Sequence, residues 1–117
     1  MSFQFQRLKV WEKAVELADL LISIADNLPQ TYQFSFGEQL RRCALSVPSN
    51  IAEGSGRKTA RDSGNFYTIS RGSVYEAMNI LVILSKRRLL KIDKSRRQKI
   101  YELAEEVCKM LTGLIKK

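Results

Sequence analysis

The chain has 117 residues and a net charge of +8, with 20 Lys and Arg against 12 Asp and Glu. Its length fits one domain, residues 1–117, and its 44% hydrophobic and 27% charged content excludes a disordered chain. It has no His and only two Cys, which removes the commonest general base and metal ligand, so a non-enzyme without metal or cofactor is expected.

Residues 1–7 lack the apolar core of a secretory signal. The longest wholly apolar run, Ile80 to Leu84, is far short of the about 20 residues that span a bilayer. A soluble, cytoplasmic protein with no membrane partner is expected. Cys43 and Cys108 then read as small hydrophobes in a reducing compartment.

Apolar spacings of 3 and 4 predict a first helix over about Leu8 to Asn27. Trp11, Ala14, Ala18, Leu21, Ala25 and Leu28 form its stripe, and Leu28-Pro29 stops it. Ser35 and Glu38 read as a capping box opening the second helix. Leu40, Cys43, Ala44, Val47 and Ile51 carry that helix's buried face. Pro48 lies inside it, where a kink is expected, and a left-handed cap is expected near Gly54-Ser55-Gly56.

Thr59 with Asp62 predicts a cap for the third helix. Its stripe is Phe66, Ile69, Ser70, Ser73, Ala77, Ile80, Leu81 and Leu84, with small residues in the middle that permit close helix approach. The fourth helix begins near Asp93. Ile100, Leu103, Val107, Met110 and Leu114 form a heptad seam along it. Four amphipathic helices joined by short turns predict an all-α, antiparallel up-down four-helix bundle.

Charge is unevenly placed. Residues 1–56 carry a net −1 and residues 57–117 a net +9. Lys86, Arg87, Arg88, Lys91, Lys94, Arg96, Arg97 and Lys99 face only Asp93, a net +7 in 14 residues at the turn between the last two helices. The negative end of the third helix accounts for two or three of these cations at most. A polyanion-binding tip is expected, with nucleic acid the leading polyanion and phosphates supplying most of the affinity. Arg57, Lys58 and Arg61 form a second basic cluster at the start of the third helix. It reads as ordinary turn cations or, more sharply, as an anion site. Gly56-Arg57-Lys58-Thr59 is no nucleotide P-loop, because a helix precedes it and its glycine spacing is wrong.

Arg42, Ser46, Ser49, Asn50 and Glu53 share a polar face of the second helix, and Arg71 and Glu76 are charged positions on the third. These read as solvated surface or as a hydrogen-bonded network between subunits. Glu53 and Glu76 lack an accompanying nucleophile or cofactor motif.

The residues Leu8-Lys9-Val10-Trp11, the block Gln39 to Gly54, Gly56-Arg57, Phe66, and Gly72-Ser73 with Glu76 carry a resemblance. Over nearly its whole length the chain resembles the bacterial four-helix-bundle proteins encoded in intervening sequences of 23S rRNA genes. Cys43 stands where that family usually has alanine. The resemblance implies a ring-like homopentamer and RNA binding, and no catalytic residues. It maps the signature positions Arg42, Asn50, Glu53, Gly54, Arg57 and Glu76 as structural or interfacial. It also implies an alternative role as a scaffold or accessory subunit that binds a reverse transcriptase, as in the related proteins of diversity-generating retroelements.

Overall fold

The computed structural model describes residues 2–117. Four α-helices dominate: α1 Lys9–Asp26, α2 Glu38–Ser55, α3 Ala60–Lys86 and α4 Lys94–Ile115. Among the described residues there is no strand. A short 3-10 turn, Gln4–Arg7, precedes α1, and a 3-10 turn and a π-turn fill Gln30–Gly37. No helix among the described residues is long and apolar enough to cross a membrane.

Each helix packs against two others, α1 on α2 and α4, and α3 on α2 and α4. Two of these pairs, α2 with α3 and α1 with α4, are tied by contacts in opposite sequence order. Ser63, Ser70 and Ser73 of α3 bond to Gly54, Val47 and Ser46 of α2. Lys13 and Lys99 tie α1 to α4 through Glu106 and Glu16, at 3.1 and 3.2 Å. The core draws on all four helices, with Leu17, Leu21, Leu40, Ile51, Leu81, Leu84, Ile100 and Leu111 fully enclosed.

The buried stripes drift by one position towards helix ends. On α4, Leu111 is fully buried while Met110 and Leu114 are half-buried. On α3, Tyr67 is buried and Ile69 is about half exposed. A helix of 3.6 residues per turn outruns a strict 3.5-residue repeat by about 20° per heptad.

Two terminal features differ from expectation. Ser35 lies inside the π-turn and its hydroxyl donates to the Tyr32 carbonyl, so it forms no capping box. α2 instead continues directly from that turn, with Gly37 already helical. The left-handed cap is not at Gly54–Gly56, since among the described residues no glycine has positive φ. It ends α3, where Arg88 has φ 60°. There the Leu89 N–H donates to the Leu84 carbonyl and the Arg88 N–H to the Ser85 carbonyl, the Schellman pattern.

Gly54 has another reason to be glycine. It is buried within α2, and an added Cβ would lie 2.7 Å from Tyr67 Cε1 and 3.1 Å from Phe66 Cβ. The missing side chain lets α3 come close. The expected cap at Thr59 is present, accepting the Asp62 N–H at 3.1 Å, and Asp93, where the fourth helix is expected to begin, caps it by accepting the Arg96 N–H at 2.7 Å.

Candidate functional site

The α3–α4 connection is built by the Schellman turn at one side and the Asp93 cap at the other. Between them Arg88, Lys91, Lys94 and Arg96 are exposed. Of the eight cations from Lys86 to Lys99, only Lys99 makes an ion pair among the described residues. Asp93, the single acid in the segment, spends its carboxylate on the Arg96 backbone. α4 has no acidic residue in its first turn, so its positive end adds to the field instead of being offset.

Two of the cations are held by packing. The Arg87 guanidinium lies over the Tyr32 and Phe36 rings, 5.9 and 5.7 Å from their centroids. This sets the basic turn against the α1–α2 connection. Arg97 is half-buried, and its Nε has no partner.

Sequence reasoning missed the parts that hold that neighbouring connection. Gln33 Nε2 donates to the carbonyls of Ala25 and Leu28, and Arg41 donates to Asp26 Oδ1, Gln33 Oε1 and the Gln33 carbonyl. Neither residue lies in an apolar pattern, so no periodicity could signal them. Phe34, between the two clasping residues, is 81% exposed.

The second basic cluster is far away. Arg57, Lys58 and Arg61 sit at the start of α3, and the +7 segment begins at its end. A 27-residue helix puts about 40 Å between them. Arg57 is also engaged, pairing with Glu53 at 2.9 Å and covering the Phe66 ring at 4.5 Å. Lys58 and Arg61 are exposed and make no ion pair among the described residues.

The polar face of α2 turns partly inward. Asn50 Nδ2 donates to the Ser46 carbonyl and hydroxyl, and Ser46 accepts from Ser73 of α3. With Ser70 on the Val47 carbonyl, these bonds line the helix around Pro48. Glu53 takes no part, being paired with Arg57. Arg42 and Glu76 are exposed, and Arg71 donates to Thr112 Oγ1 of α4.

Neither thiol is activated. Burial chiefly, with Glu76 adding, pushes Cys43 up to about 11, and burial also raises Cys108. Both cysteines are free. Among the described residues no group of three His, Cys, Asp or Glu could hold a metal ion.

The model of one family, described as 23S rRNA-intervening sequence protein, matches residues 6–113. No curated protein matches the chain.

Proposed function

The chain belongs to the 23S rRNA-intervening sequence protein family, and from that premise we propose that it is a cytoplasmic RNA-binding protein that acts without catalysis. Its four helices form an antiparallel up-down bundle that assembles as a ring-like homopentamer. Each copy offers the α3–α4 turn to RNA phosphates, and the ring multiplies a weak contact into an avid one.

The observation that carries this reading is the +7 segment, left almost without counter-charge. Its backbone gives independent support. Arg88 holds a left-handed conformation that favours glycine and costs other residues about 1–2 kcal/mol. A cation kept at such a cost fits selection for charge at that spot. Lys58 and Arg61, at the other end, supply a separate and weaker contact.

Binding of a labelled single-stranded RNA, followed by anisotropy, tests the proposal. Affinity falls by orders of magnitude between about 50 and 200 mM salt. Changing Arg88, Lys91, Lys94 and Arg96 together to Gln lowers affinity at least tenfold and flattens the salt dependence. Unchanged affinity in a folded variant refutes it.

A second reading, a protein scaffold of the reverse-transcriptase accessory type, draws on exposed apolar side chains. Phe34, Leu45, Ile69 and Tyr75 are each more than half exposed. A protein partner that stays bound after nuclease treatment favours this reading, and one that leaves with the RNA excludes it.

A further inference from the structure

A cavity of about 420 Å³ opens beside the basic turn, between the end of α1 and the start of α4. It is more closed than the larger grooves along α1 and α2. Its polar lining comes from Ser23, Asn27, Lys91 and Arg96, and its apolar wall from Ile24 and Ile92. No carboxylate lines it. The two nearest in sequence are both engaged, Asp26 by Arg41 and Asp93 by the Arg96 backbone. Among the described residues, Lys91, Arg96 and the Ser23 hydroxyl make no side-chain bond, which leaves their donors for a ligand. Asn27 is partly committed, donating to the Ser23 carbonyl at 2.7 Å.

We infer that this cavity receives one phosphomonoester-bearing nucleotide: the phosphorylated end of an RNA chain. The volume lies in the range of small-ligand pockets. Charge selects the end. A phosphomonoester carries about −1.5 to −2 at pH 7, whereas a phosphodiester carries −1. Lys91 and Arg96 supply two positive charges, and Ser23 adds a neutral donor. Ile24 and Ile92 present an apolar wall to the nucleoside. The inference rests on RNA binding at the same end of the protein, and it assigns that end a preference for phosphorylated termini that backbone contacts alone cannot give.

The test compares one short single-stranded RNA with a 5′-phosphate, a 3′-phosphate or hydroxyls at both ends, in anisotropy titrations at fixed salt. Tenfold or greater preference for a phosphate-ended RNA over the hydroxyl-ended one supports the inference. Ser23→Leu fills the cavity without changing charge, on a helix face that is already exposed. It removes the preference and leaves the hydroxyl-ended RNA bound as before; Arg96→Gln lowers both. Equal affinity for all three RNAs, or a preference that survives Ser23→Leu in a folded protein, overturns the inference while RNA binding itself stands. A nucleoside 5′-monophosphate serves as competitor. If it displaces the phosphate-ended RNA, the cavity reads the terminal nucleotide. If it binds where no RNA of any kind does, the pocket is one for free nucleotides, and both the RNA-end assignment and the RNA-binding function fall.

Discussion

Gly54 and Arg88 show opposite relations between a residue and its backbone. At Gly54 the conformation is ordinary and the space is missing. Gly54→Ala therefore forces Tyr67 out of its place, and a denaturant melt registers a loss of about 1–3 kcal/mol. At Arg88 the space is open and the conformation is costly. Arg88→Gly raises stability by up to about 1 kcal/mol once the glycine's extra unfolded-state freedom is set against the relieved strain. The same variant weakens RNA binding, so the two measurements move in opposite directions. Cys43 makes a pH-dependent contribution. Its thiol ionises near 9 when unfolded and near 11 when folded. The folded state thus keeps a proton that the unfolded state loses, and stability falls as pH rises through that window. The loss is on the order of 2–3 kcal/mol. Melts at pH 8 and pH 10.5 check this, with Cys43→Ala showing the shallower decline.

Among the elements, α4 has the most exposed weakness. Lys94, Arg96 and Arg97 crowd its positive end, and Asp93 alone caps it. Asp93→Ala costs about 1 kcal/mol of stability in a thermal or denaturant melt, yet it leaves RNA binding equal or tighter because the turn gains net charge. The four helices and their approximate limits were readable from apolar spacing, since burial of one face per helix is what that spacing encodes. The cap at Thr59 was readable because a side-chain oxygen just ahead of a helix is itself a local signal; Asp93 reads only as the start of α4. Ser35 was misread because a capping pattern needs an extended residue before the helix, and here a π-turn feeds α2 without a break. The family resemblance drawn from the Gln39–Gly54 block agrees with the match over residues 6–113. For the site, the run of cations was plain in the sequence, but their partners were not. Nothing in Tyr32 or Phe36 shows from sequence alone that they carry the Arg87 guanidinium, because that contact joins segments distant along the chain; Gln33 and Arg41 hold the α1–α2 connection through polar bonds that no apolar spacing marks.

For the molecule as a whole, the placement of the two basic clusters at opposite ends of α3 matters most. A single RNA phosphate group cannot meet both. Neutralising Lys58 and Arg61 is expected to change RNA affinity by less than threefold, against at least tenfold for the α3–α4 turn, in the same titration. Light scattering is expected to give about five times the 13.4 kDa chain mass. A clean monomer contradicts the ring.

Like charges packed around the α3–α4 turn also push on one another. Dissolved ions calm that quarrel, so the thermal midpoint of the RNA-free protein climbs as ionic strength rises, while its grip on polyanions slackens. The same concentration of salt that empties the protein leaves it harder to melt.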